Sequence, residues 1–252
     1  ETMGGRAYTS GLVETKGRFT FQYGRVEVRA KLPGTKGLWP AHWMMPERGS
    51  WPPEIDIMEL VGSKPNVIHM TNHYGVHPHN RYDTKIFAGP DYTKDFHVYA
   101  LEWDEGELRW FIDGVQRSSV SRNVPKEPFY IILNTAVGGI MPGNPDATTV
   151  FPQYHEIDYV RVYAKEIPGT YFLMTSAENG KVEADPRLPR YNKGDKVKLT
   201  AVPKIGYKFA GWTGDPSLGA DNPARVRMNK HKSISASFIE DPNAPKLLSR
   251  GK

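Results

Sequence analysis

Three carboxylates, Glu54, Asp56 and Glu59, stand in the segment WPPEIDIMELVG (residues 51–62), which is otherwise rich in Ile, Met, Leu and Val. Charge in an apolar strand is costly unless the charged face looks into a wet cleft. Side chains alternate along a strand, so Glu54 and Asp56 share one face while Glu59, an odd number of positions after Glu54, takes the other. One extra residue near Ile57 or Met58, a β-bulge, restores the parity and brings all three acids to one cleft. The Cα atoms of Glu54 and Glu59 then lie on the order of 13 Å apart. Two Glu side chains leaning together narrow this to about 5–6 Å between carboxyls, the separation of a nucleophile and a general acid/base in double displacement at a sugar. Asp56 between them would raise its neighbours' proton affinity, or share a proton with one, and so keep an acid protonated near neutral pH. A solvated acidic face fits the same residues, as does a hard-cation site, although calcium usually draws on loop oxygens that this strand offers sparingly.

Trp39, Trp43 and Trp51 precede the carboxylates, and tryptophan faces stack on the C–H faces of sugar rings; a row of tryptophans equally suits a core. His69 and His73 share one face of a strand and could bind a metal or a substrate, with no third ligand evident. The sequence has no nucleophile elbow, phosphate-binding glycine loop, dinucleotide motif or HExxH.

The elements that must position these residues read as β throughout. With 13 Tyr, 10 Phe, 6 Trp, 24 Gly and 21 Pro and no long helical period, many short strands joined by turns are expected. Strands are predicted at 12–23 around a Lys16-Gly17 turn, at 24–32, 67–74 and 96–103, in a hairpin with an Asp113-Gly114 turn, and at PFYIILNTAVGG and EIDYVRVYA. Segments 76–83 and 138–146 read as loops that set specificity. The 252 residues contain no Cys, which excludes disulfides and thiolate chemistry, and no apolar run long enough to span a membrane. No signal-peptide pattern opens the chain, as expected equally of a mature or trimmed product.

Residues 166–169 read as a linker, with short strands following it. Lys+Arg number 18 against 19 Asp+Glu up to residue 165, and 15 against 9 beyond it, giving −1 and +6. A basic module of this kind is suited to an anionic wall polymer, a membrane surface or nucleic acid, or simply to solvent. The expected division is 1–165, 170–239 and a disordered tail at 240–252.

The segments YTSG, KGRFTFQYGRVEVRAKLP, GLWPAHWMMP, PEIDIMELVG, FHVYALEW, RWFIDG, ILNTAVGG and IDYVRVY, in this order over residues 8–164, resemble glycoside hydrolase family 16 in its bulged E-x-D-x-x-E, laminarinase-like branch. The resemblance implies an all-β jelly-roll sandwich, with Glu54 as nucleophile, Glu59 as acid/base and Asp56 as assisting carboxylate. It further implies Trp39, Trp43, Trp51 and His73 as substrate contacts, no catalytic cofactor, and a structural calcium at Asp158. An endo-acting retaining β-glycanase of β-1,3-glucan is expected, secreted or cell-surface, monomeric and without a nucleic-acid partner. Mixed-linkage β-glucan and the galactans agarose, porphyran and carrageenan are the rival substrates, and a non-catalytic glycan-binding protein is the rival class. Family members carry several strands before YTSG, which this chain lacks; a processed or truncated chain, or an edge covered by other residues, is expected. The module at 170–239, through GKVEADP, YNKGDKVKLTAVPKIGYKFAGWTGD and KSISASF, resembles divergent bacterial B-repeats of the internalin type. A small β-grasp-like sheet is implied; Trp212 and Tyr207 suit packing of the aromatic motif better than glycan binding, and cell-wall or glycan contact is an open expectation for this module.

Overall fold

The computed structural model describes residues 7–244. The chain divides into two compact units, Glu1–Lys165 and Glu166–Lys252.

In the first unit the strands are β1 (Leu12–Glu14), β2 (Gly24–Lys31), β3 (Leu38–Pro46), β4 (Glu54–Leu60), β5 (Val67–Tyr74), β6 (Arg81–Ala88), β7 (His97–Trp103), β8 (Leu108–Ile112), β9 (Val115–Val120), β10 (Phe129–Val137) and β11 (Glu156–Ala164). They form a six-stranded sheet, β1-β10-β3-β4-β5-β6, and a five-stranded sheet, β11-β2-β7-β8-β9. All pairings within the two sheets are antiparallel. This is the β-sandwich that alternating half-apolar strands require.

One core lies between the sheets. Met44, Ile55, Ile57, Met58, Leu60, Ile68 and Met70 from the first pack with Val26, Val28, Tyr99, Leu101, Trp103 and Trp110 from the second. The outer face of the five-stranded sheet is closed by ion pairs: Arg25 with Glu27 and Glu102, and Arg109 with Glu102, Asp104 and Glu107. The outer face of the six-stranded sheet carries β4 near its middle and remains available to a ligand.

Two local readings change. The first predicted strand shrinks to Leu12–Glu14, since residues 15–23 leave the ladder and meet β10 at two points, the Thr15 hydrogen bonds with Ile131 and the Phe21–Phe129 bridge. The loop expected at 76–83 ends earlier, because Arg81 opens β6, a mostly exposed edge strand.

The second unit contains β12 (Thr170–Tyr171), β13 (Leu173–Ala177), β14 (Gly180–Asp185), β15 (Tyr191–Asn192), β16 (Lys196–Pro203), β17 (Tyr207–Thr213), β18 (Ala224–Arg227) and β19 (Lys232–Glu240), with one 3-10 turn at Pro216–Leu218. Its sheets are β12-β15, β13-β19-β17 and β14-β16-β18. The pairing of β13 with β19 is parallel. Tyr191, Val197, Leu199, Leu218, Val226, Met228 and Ile234 form its core, and a buried ion pair joins Lys232 to Asp215. The expected disordered tail begins too early: Glu240 ends β19, and the Asp241 N–H bonds to the Gly206 carbonyl at 2.8 Å. The remainder of that tail, 245–252, lies outside the described residues. No helix among the described residues is long and apolar enough to cross a membrane.

Candidate active site

The carboxylates come together because β4 is bulged. Trp43 lies opposite Asp56 and Ala41 opposite Glu59, so two steps on β3 answer three on β4. The same shift separates β4 from β5, where Asp56 faces Thr71 and Glu59 faces His69. The register therefore slips at Ile57 and Met58, as the odd spacing of Glu54 and Glu59 demands. Both of these residues turn into the core, at 2% and 0% exposure, with Ile55 and Leu60. Glu54, Asp56 and Glu59 are left on the opposite face.

The bulge is held from the other sheet. The indole N–H of Trp110 on β8, itself buried, donates to the Asp56 carbonyl oxygen at 2.8 Å. Beyond the strand, the Gly62 N–H bonds to the Leu38 carbonyl at 2.8 Å. A Cβ at Gly62 would lie 2.1 Å from the Thr35 carbonyl oxygen, so only glycine permits this approach.

Trp39 Nε1 donates to Glu59 Oε1 at 3.0 Å. Trp43 Nε1 instead donates to Asn134 Oδ1 on β10 at 2.8 Å. The Trp51 indole lies near enough to Glu54 to pull its proton affinity down. Trp39, expected from the sequence as a substrate contact, thus also serves as a donor that orients a carboxylate. His73 lies opposite Glu54 in the β4–β5 ladder. Its Nε2 is 3.0 Å from Asp56 Oδ2 and 3.6 Å from Glu54 Oε1. Its ring also lies beside those of Trp51 and Tyr82. Thr71, buried opposite Asp56, pairs its hydroxyl with that of Thr84 at 3.0 Å.

Burial and like charge raise all three acids. Burial first, then the Asp56 charge, pushes Glu54 up to about 8, against the opposing pull of His73 and the Trp51 N–H. Burial, then the Glu54 charge, pushes Glu59 up to about 7, against His73 and the Trp39 N–H. Asp56, only 2% exposed, is held well above the usual carboxylate range by burial and the Glu59 charge. Glu54 and Asp56 place carboxylate oxygens within 4.8 Å of each other, and two like charges so close and so buried disfavour joint ionisation, so the pair retains a proton. The cluster therefore supplies what acid–base chemistry near neutral pH needs: a retained proton and an ionisable partner on one face.

Glu54, Asp56 and His73 also place one ligand atom each within 4.8 Å of one another, as a metal site could. The histidine pair considered from sequence is split, since His69 stands opposite Glu59 and outside that group. The half-exposed carboxylate of Asp158, expected as a calcium ligand, pairs with Arg29 at 2.6 Å. A cavity of about 1080 Å³, lined among others by Tyr8, Leu12, Val13, Phe151 and Tyr154, includes none of the three carboxylates. The titratable cluster, not that cavity, marks the chemistry.

Asn134, Trp110 and Thr71 were missed from sequence. Asn134 could have been found from its alternation with Ile131 and Leu133, which face the core; Trp110 carried no local signal.

Comparison with known proteins agrees with this geometry. Residues 171–242 match the divergent InlB B-repeat domain. The chain is 41% identical over 188 residues to a β-glucanase of Rhodothermus marinus, covering 63% of each chain. It is 37% identical over 183 residues to glucan endo-1,3-beta-glucosidase A1 of Niallia circulans, covering 63% of this chain and 27% of that one. The chain thus spans less than two thirds of either relative. Among solved structures, the laminarinase from Rhodothermus marinus superposes with a TM-score of 0.59 at 38% identity, covering 65% of this chain and 74% of that one. Residues 2–161 match glycosyl hydrolases family 16, and the chain belongs to that family.

Proposed function

We propose that the first unit is an endo-acting, retaining β-glycanase whose substrate is β-1,3-glucan of the laminarin type, working outside the cell or at its surface. The observation that carries this reading is the bulge in β4, which sets Glu54 and Glu59 on one face with Asp56 between them. Glu54 attacks the anomeric carbon while Glu59 gives its proton to the departing glycosidic oxygen, leaving a glycosyl ester on Glu54. Glu59, now a carboxylate, takes a proton from water; the water oxygen bonds to the anomeric carbon, and Glu54 leaves as the carboxylate. Two inversions give net retention, and the two steps use only carboxyl groups and water. Asp56, buried beside Glu54 with its own proton affinity raised, can take up the proton of the pair, which leaves Glu54 as the attacking carboxylate. The names of the relatives from Rhodothermus marinus and Niallia circulans support a β-glucan, the second specifically a 1,3-linked one.

The test is a polysaccharide panel of laminarin, mixed-linkage β-glucan, agarose, porphyran and carrageenan, with product sizes and the anomer followed over time. Laminarin is expected to yield short oligosaccharides with the β-anomer formed first. Glu54→Gln and Glu59→Gln, each verified as folded, are expected to lose at least about a thousandfold in turnover. Near-normal activity in either variant would overturn these roles, and binding without cleavage of any polymer would make the protein a glycan binder.

A further inference from the structure

The second unit carries a feature that the catalytic reading does not use. Along β16, Val197, Leu199 and Ala201 are buried, and the alternate positions Lys196, Lys198, Thr200 and Val202 face outward. On β18, Ala224 and Val226 are buried while Arg225 and Arg227 face outward. The antiparallel register sets Lys196 directly opposite Arg227 and Lys198 directly opposite Arg225. Like charges facing each other across a ladder destabilise a sheet, and here two such pairs stand in consecutive positions of one face.

Neutralisation is partial and one-sided. Lys198 has Asp185 of β14 at 3.7 Å, with both side chains well exposed, and Lys181 and Glu183 pair with each other along β14 at 2.6 Å. Lys196, Arg225 and Arg227 have no carboxylate partner among the described residues. Elsewhere in this unit Lys232 is matched by the buried Asp215, so uncompensated charge is not a general feature of it. Charge on an edge strand can serve to block strand addition. That purpose accounts for the arginines of β18, which is an edge, but not for the lysines of β16, the middle strand of its sheet.

We propose that this face of β16 and β18 docks an anionic polysaccharide, one bearing carboxylate or sulfate groups. The four cations form a flat lattice, about 5 Å across the ladder and about 7 Å along each strand. An extended chain with regularly spaced oxyanions is complementary to it, and the arginine forks can take carboxylate or sulfate oxygens in pairs. The other polyanions fit less well. The face presents no aromatic ring on which a base could stack, and no large apolar side chain that could enter a bilayer; its outward uncharged residues are Thr200 and Val202. A neutral β-glucan would gain nothing from the four charges, so this surface is a separate site from the carboxylate cleft and does not rest on the reaction assigned to it.

The experiment uses the full chain at low and moderate salt, with binding measured to polygalacturonate and dextran sulfate, to a DNA duplex and to phosphatidylglycerol vesicles. Binding to at least one polysaccharide, weakening steeply with salt, is expected. Replacing Lys196, Lys198, Arg225 and Arg227 together by Gln should weaken it about tenfold or more while hydrolysis of soluble laminarin is unchanged. Because that change removes two repulsive pairs, the fold should survive it. Arg225→Gln with Arg227→Gln alone should give a smaller loss, and Lys204→Gln with Lys208→Gln none. Absence of binding to both polysaccharides, parental affinity in the fourfold variant, or tighter binding to DNA or vesicles would overturn the proposal.

Discussion

The Trp39 indole N–H donates to Glu59 Oε1 at 3.0 Å from the neighbouring strand. A hydrogen bond given to a carboxylate favours its ionised form, so Trp39 pulls Glu59 down while burial and Glu54 push it up to about 7. Trp39→Phe keeps a ring for sugar contact and removes only the donor. In the proposed mechanism Glu59 must be protonated to release the leaving group. The alkaline limb of kcat/KM is therefore expected to move to higher pH in Trp39→Phe, and a limb unmoved or moved to lower pH would contradict this role.

His73 acts on both glutamates at once. It lowers the proton affinity of Glu54 and of Glu59, with its Nε2 3.0 Å from Asp56 Oδ2. His73→Phe should raise both, making ionised Glu54 scarcer at neutral pH. The acid limb of kcat/KM is expected to shift upward and activity at pH 6 to fall by roughly tenfold or more, since each pH unit of such a shift is a factor of ten in the ionised fraction. Full-range pH profiles of both proteins decide this: a uniform loss with no displaced limb would mean that His73 only positions substrate.

The same elevation links the site to stability. Glu54 sits at about 8 against an ordinary 4.5, so between these values the folded protein holds a proton that the unfolded chain releases. Stability is fully present below about 4.5 and falls as pH rises through 8. Each unit of elevation corresponds to about 1.4 kcal/mol, which makes the charged site a sizeable strain at alkaline pH. Glu54→Gln, which cannot ionise, is expected to melt several degrees above the parent at pH 8.5 and close to it at pH 5. Thermal unfolding at the two pH values measures the difference, and an equal offset at both would rule out linkage to this carboxyl.

How much of this was legible depended on whether the signal was local. The five-position step from Glu54 to Glu59 forced a bulge, and the register slips there because only an extra residue can reconcile both glutamates with one face while Ile55 and Leu60 stay in the core. The edge strand β6 is harder to separate from the loop before it, because the Tyr82–Thr84–Ile86 face of RYDTKIFA is mostly exposed and packs into no core. Tryptophans near the acids were legible as candidates, but which atoms they would use was not. The stacking face and the indole N–H belong to the same side chain, and the cross-strand register decides between them. Asn134 and Trp110 reach the site from 80 and 54 positions after Glu54 and Asp56, distances at which pattern carries no information about contact.

Trp110 supports the site from the opposite sheet and is a sharp test of the bulge. Its N–H satisfies the Asp56 carbonyl at 2.8 Å in a fully buried setting. A bulge disrupts the ladder locally, so without this donor the carbonyl is left buried and unmatched. Trp110→Phe is expected to cost about 1–3 kcal/mol for the orphaned carbonyl, plus the loss of packing volume. If the bulge then relaxes, the carboxylates shift relative to one another, and small misplacements of reacting groups cost rate steeply. The variant should therefore lose kcat by roughly tenfold or more at temperatures well below its own unfolding, while KM changes little. Loss of stability with an unchanged kcat would show that β3 and β5 alone fix the bulge, and that Trp110 merely fills the core.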